Sequence, residues 1–478
     1  MKKKLLRILP LAAVVLATLI ALFYAWTDWA GARRWKAVEA ALRAKGEPLT
    51  IAEIEPSPIP DEINLAAAPI FAEISRAPDS KTWRLSQIPS FRGSVGKNSS
   101  DLANAARSVD PKFAGTDAEA ARLILAEAAK SQVVFDEVRE AATRPGVSWK
   151  GNYQDGFRMR IPQAQPLVTL SQSLSTQAKA RLELGDDAGA RADVLLVLDL
   201  SNRVSPPVLL ITHLVQQAML VNAISALKFG IERHAWTASD LERIQHSLAS
   251  FSMIEGLVNG LRVERVLVSD TMLKLTQQDV VDVFRFSDTE TIPWQQRAVS
   301  LIWRLRPTGW GNEDRGLYAT AIQKMIDGLI SSPLRPEQLG SHTTPPPAPW
   351  QASVLLLRTP FSRLALPGME NVPKRAAFVQ TELDAARTAC AIERYRLAHG
   401  TLPPTLDALC PEFLSKPTPD LMTGKPLHYQ LGPGDSYTLY SVGWNETDDG
   451  GSDVNPKNPN RKNSADSADW VWRIDSRS

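Results

Sequence analysis

The sequence predicts a mainly α protein in three parts: an N-terminal transmembrane helix, an irregular helical bundle or array, and a small C-terminal α+β domain of a helix plus an antiparallel sheet. Three observations carry that expectation. Residues 8–26 contain no charge. Much of residues 116–332 repeats apolar side chains at spacings of three and four. Residues 427–431, 437–442 and 470–474 have the composition and turn chemistry of strands. The chain has 478 residues, 44% hydrophobic and 22% charged, which suits a folded protein of roughly two or three cores. Lys plus Arg is 54 against 52 for Asp plus Glu, so there is no basic surplus for a nucleic-acid partner. Two cysteines exclude a disulfide-dense scaffold and a four-cysteine zinc site.

The uncharged run from Ile8 to Trp26 makes a helix of about 28 Å, enough to cross a bilayer core. Lys2, Lys3, Lys4 and Arg7 precede it, and Pro10 lies where a missing N–H costs least. Tyr24, Trp26 and Trp29 form an aromatic belt at its far end. A cleaved signal peptide is the rival, with Ala30-Gly31-Ala32 as its cleavage site. The apolar run is long for that, so an uncleaved anchor is expected. Arg33, Arg34 and Lys36 follow the span, so flanking charge alone does not orient it. A short tail before the span and a large domain after it place the bulk outside the cytoplasm. The expected location is the cytoplasmic (inner) membrane, crossed once.

Five regions follow. Residues 1–33 are a cytoplasmic tail and anchor, and 34–115 an extended or irregular connection with Pro56, Pro58 and Pro60. Residues 116–332 form a helical domain. Leu167, Leu170, Leu174, Ala178 and Leu182 make one apolar face. A second helix runs over 188–202. Pro206-Pro207 opens a third, with a stripe of Leu210, Leu214, Ala218, Val221 and Ile224 and a stop at Gly230. Ser239 to Glu242 reads as a capping box for a fourth. Further helices are expected at 254–286, 291–305 and 315–330. Arg262, Glu264, Arg265 and Asp270 read as a solvated face. Residues 333–370 are a Pro-rich linker, and 371–478 the α+β domain.

That last region opens with a helix marked by Ala376, Leu383, Ala386, Ala389, Ile392 and Tyr395, closing at His399-Gly400. Leu-Pro-Pro-Thr-Leu-Asp-Ala-Leu follows at 402–409. Asp420 leads into Gly-Lys-Pro-Leu-x-Tyr at 424–429, and Tyr-Thr-Leu-Tyr-Ser-Val-Gly stands at 437–443. In this order the four phrases resemble the globular head of type II secretion pseudopilins of the major, G-type class. The likeness covers about the last 105 residues. The rest resembles uncharacterised bacterial membrane-anchored helical proteins. The prepilin signature Gly-Phe-x-x-x-Glu does not occur near the N-terminus, and more than 340 residues separate Trp26 from Lys374. Polymerisation as a pilin is therefore not expected.

In that family the loop after the Tyr-Ser-x-Gly strand binds calcium. The resemblance implies a calcium site here, with side-chain oxygens from Asn445, Asp448, Asp449, Asp453, Asp466 and Asp469. Calcium takes six to eight hard oxygen ligands. Asn445 stands where the family pattern has Asp, and the loop is longer. The other reading is a solvated loop whose acids pair with Lys457, Arg461 and Lys462. Cys390 and Cys410 also carry two readings: a disulfide in an oxidising compartment, or two small buried apolar residues.

No catalytic residue is assigned. Ser94-Val95-Gly96-Lys97 has the Ser-x-x-Lys form, but no Lys-Thr-Gly accompanies it. Phe91 and Asn98 spoil a phosphate loop around Gly96-Lys97. His213 and His234 lack His or Cys partners at helical spacing. Trp310, between Gly309 and Gly311, carries two readings: an aromatic that pins a loop onto the core, the commoner case, or one that lines a pocket. The expected function is a non-enzymatic, membrane-anchored scaffold or accessory of the cell envelope, linked to a secretion or pilus-like system. Its partners are then the membrane, through residues 8–26, and envelope proteins. The alternatives are an extracytoplasmic hydrolase with its site in the helical domain, and a helical module that binds peptide or glycan.

Overall fold

The structure is a computed structural model that describes residues 2–76, 83–91, 100–204, 209–274, 301, 303, 305–339, 358–458 and 463–475. It is mainly helical, with one three-stranded antiparallel sheet near the C-terminus. The expected features at 94–97, 206–207, 275–300 and 340–357 lie outside the described residues.

Helix α1 (Lys2–Ala44) joins the apolar run to the body without a break. Residues 10–23 are exposed all round, whereas Trp35 and Leu42 are buried. Among the described residues, two helices are long and apolar enough to cross a membrane: the apolar part of α1, and Leu210–Ile231, which is mostly buried within the protein.

The connecting region holds more helix than proline and glycine suggest: α2 (Ile51–Ile54), α3 (Pro69–Arg76) and α4 (Asp101–Ala106). Helix α5 (Asp117–Ala129) starts at a Thr116–Glu119 capping box, and α6 (Gln132–Ala142) follows. Helix α7 (Ala164–Glu183) buries all five residues of its expected face. Helix α8 (Asp187–Asn202) packs back on it.

Helix α9 (Leu210–Ile231) departs from the one-stripe expectation. It touches α7, α8 and the later helices at 253–274 and 372–399, so most of its circumference is covered. Val221, placed in the stripe, is 43% exposed. Gly230 is inside the helix, not a stop. The Trp236 indole lies directly on it, where any Cβ would collide. Helix α10 (Ala238–Leu248) is capped two residues before the expected box. The Thr237 hydroxyl accepts from Asp240 N at 3.2 Å, and the Asp240 carboxylate accepts from Thr237 N at 3.3 Å.

Helix α11 (Met253–Lys274) corrects the solvated-face reading. Arg265 is 1% exposed and bonds inward to Glu47 and Gln323. The reason is a carboxylate more than 200 positions earlier, Glu47, which α1 delivers to this helix. Helix α12 (Thr308–Ile330) packs on both α1 and α11. Helix α13 (Pro336–Leu339) and helix α14 (Pro360–Met369) flank it.

Helix α15 (Val372–His399) ends at Gly400, whose φ of 75° is the left-handed conformation of a helix C-terminus. Strands β1 (His428–Leu431), β2 (Tyr437–Ser441) and β3 (Trp470–Ile474) pair in that order. The register sets Leu439 opposite Trp472. One core cluster runs from Leu65 through α7, α9 and α15 to Trp472 and Ile474. The sheet is thus continuous with the helical body: α15 is held between them, touching α9, α10 and α11 as well as β2 and β3.

Candidate functional site

The polar loop between β2 and β3 is organised by Asp469, the residue before β3. Its side chain is fully buried. One carboxylate oxygen accepts from Gly451 N at 2.7 Å and Ser452 N at 3.1 Å; the other accepts from Asp449 N at 3.3 Å. Gly450 and Gly451, at φ of 72° and 78°, let the backbone curl around that carboxylate. Burial pushes the Asp469 carboxyl up, and the three amides oppose that push. A second buried acid, Asp420, holds the turn before β1. It accepts from Met422 N at 2.9 Å and from the Ser441 hydroxyl at 2.8 Å. The sequence shows Asp420 only as part of a phrase; its role depends on reaching β2.

The six expected calcium ligands are divided among several tasks. Asn445 donates to Asp449 at 2.8 Å, so these two and Asp469 share one corner of the loop. Asp448 accepts from Gly450 N at 3.0 Å and sits 3.6 Å from His428 Nδ1. The Gly450 amide and then the His428 charge hold its carboxyl below the usual range. Asp466 is paired with Lys374 of α15 at 2.6 Å. Asp453 bonds through its backbone carbonyl to Asn463 N at 3.0 Å. Among the described residues, no three His, Cys, Asp or Glu are grouped to hold an ion. As placed, the six donors take part in several separate hydrogen bonds and the Lys374 ion pair, and Asp469 ties down the loop through backbone amides.

Asp469→Ala is expected to cost about 1.5–3 kcal/mol, the range for hydrogen bonds to a charged group. Millimolar calcium is expected to leave the melting temperature of the full chain unchanged. A calcium-induced rise in melting temperature that Asp449→Ala abolishes would instead assign the loop to the ion.

Two clefts mark the helical body. One, of about 940 Å³, lies between α1, α12 and α14 and is walled by Val38, Leu317, Met325 and Leu366, with Arg34 and Lys324 at its edge. The other, of about 320 Å³, lies between α4, α7 and α9. Its Lys179 ammonium is 2.6 Å from Asp101 and 2.7 Å from the Ser225 hydroxyl. That ammonium holds the Asp101 carboxyl below the ordinary range. The charges of the smaller cleft satisfy each other.

Among the described residues, the catalytic candidates are not assembled into a site. Ser94 and Lys97 lie outside the described residues. His213 is fully buried and meets the Gln217 amide at 2.9 Å. Burial pushes it down to about 4, so it is neutral at pH 7. His234 contacts Glu393 of α15 at 2.9 Å, where it joins body to tail. Burial pushes the Glu264 carboxyl up to about 7, a shift periodicity did not reveal, but Glu264 lines neither cleft. Cys390 and Cys410 are free thiols, the first buried and the second half-buried. Comparison of the chain with protein-family models, with curated proteins and with solved structures returns no match.

Proposed function

We propose that this chain is a single-pass protein of a bacterial inner membrane that acts outside the cytoplasm as a non-enzymatic scaffold. The observation that carries this reading is the division of α1 into an exposed apolar half and a half packed into the body. A lone apolar helix with no protein cover needs a lipid environment. The C-terminal region is helix α15 packed on an antiparallel sheet, and its sequence phrases resemble those of pseudopilins. That likeness supports an accessory role beside a secretion or pilus-like apparatus.

The test is alkaline extraction and N-terminal sequencing of the full chain from membranes. The expected outcome is retention in the pellet with Lys2 to Trp26 intact, and release when residues 2–26 are deleted. A soluble chain that begins after Ala32 would overturn the reading in favour of a signal peptide. The apolar cleft favours a second reading, a helical module that captures a peptide. A peptide that binds the full chain and is lost on Leu317→Arg would support it.

A further inference from the structure

We infer that the segment carrying Leu301, Trp303, Leu305 and Trp310 is a second membrane contact, an aromatic and leucine edge seated in the lipid headgroup layer beside α1. This rests on the anchoring proposed above.

Three contacts fix the height of this edge. The Tyr24 hydroxyl donates to the Leu305 carbonyl. Phe23 and Trp310 meet edge to face, with ring centroids 6.4 Å apart. Asp28 accepts from Gly309 N at 2.6 Å, capping the start of α12 from another helix. At Gly31 and Gly309 the two backbones approach so closely that a Cβ on either would strike the other. The first turn of α12 therefore stands level with residues 23–31 of α1, where the apolar run ends. From there the helices run parallel: Arg34 pairs with Glu313, and Lys45 with Asp327.

The side chains at this height suit an interface. Leu301 and Leu305 are 58% and 60% exposed. The Leu305 N bonds to the Leu301 carbonyl at 3.0 Å, so the two share one helical face. Trp26 and Trp29 are each 59% exposed on α1. Trp303 and Trp310 add two indoles from the second element. The Arg306 guanidinium lies 4.4 Å over the Trp303 ring, and Arg33 lies 5.3 Å over Trp29. Indoles with nearby cations are the composition of a membrane–water boundary. In water, the exposed Leu301–Leu305 face and the exposed Trp26 and Trp29 rings at the same height have no apolar cover among the described residues. In the headgroup layer this edge buries its apolar surface, and the exposed Arg33 lies at that height to meet phosphate.

The test places one labelled cysteine at a time in the full chain, with Cys390→Ala and Cys410→Ser as background. The chain is reconstituted into vesicles of phosphatidylcholine and phosphatidylglycerol. An environment-sensitive fluorophore goes at position 19, 301, 305 or 330. Doxyl groups on the lipids quench it near the headgroups or deep in the chains. Position 330 is the control: it is on α12 and 60% exposed, about 30 Å along the helix from Gly309. The expected result is deep quenching at 19, headgroup-level quenching at 301 and 305, and none at 330. If 19 is quenched while 301 and 305 behave like 330, the second contact is wrong and the anchor stands. If 19 is also unquenched, the anchor itself is wrong and the proposal falls with it.

Discussion

Replacing Glu47 with alanine is expected to destabilise the full chain by about 3–5 kcal/mol, the range for removing one partner of a buried ion pair. Glu47 is 5% exposed and lies between two guanidinium groups. It accepts from Arg265 at 2.8 Å and from Arg262 at 3.1 Å. Removing the carboxylate leaves the 1%-exposed Arg265 hydrogen-bonded to Gln323 and the Pro48 carbonyl, neither of which carries charge, with Asp327 acting on it only at longer range. Burial works to raise the Glu47 carboxyl, and the two arginines outweigh it, so it lies below the usual range. A depressed folded value means that the contribution is whole above the unfolded glutamate range. It is lost as pH falls through that range to the folded value. The comparison is Lys45→Ala, which breaks a half-exposed pair with Asp327 and is expected to cost under about 1 kcal/mol. Chemical unfolding in micelles at pH 7 measures both. Equal costs would show that the Glu47 cluster is solvated, as the sequence alone implies.

Trp472→Ala is the second large effect, about 3–5 kcal/mol for emptying a buried aromatic site. Trp472 is 1% exposed, opposite Leu439 in the sheet. The Lys228 ammonium of α9 lies 5.3 Å over its ring, so the residue touches the body as well as its own strand. Sheet and body share one core cluster. The expected trace is therefore a single transition, lowered as a whole by the substitution. Fluorescence and far-ultraviolet circular dichroism should give the same midpoint. An early transition confined to the sheet would mean that residues 371–478 hold together on their own. The shared core also implies that a 371–478 fragment, stripped of α9, α10 and α11, exposes the buried side of α15 and does not fold.

Much of the fold was legible because its signals are local. The α7 face, the His399-Gly400 stop and the strands at 428–431, 437–441 and 470–474 follow from spacing and turn chemistry. What failed was whatever depended on a distant partner. Charges on α11 look solvated until Glu47 arrives from the loop that follows α1. The α9 stripe looks one-sided until helices close around it. Thr237-x-x-Asp240 and Ser239-x-x-Glu242 are both capping patterns, and only the path of the chain selects the first. In the C-terminal loop the acidic residues could be read, but their directions could not. Asp466 turns to Lys374, 92 positions earlier, and Asp469 turns to the backbone of its own loop.

The unbroken passage of α1 from its apolar half into the parallel pair with α12 makes the connection a strut, not a leash. A slack tether lets its cargo swivel and drift from the surface. With α1 anchored as proposed, a clamped helix holds the body at one tilt and one distance, so a pull on the far end is transmitted as torque on the bilayer.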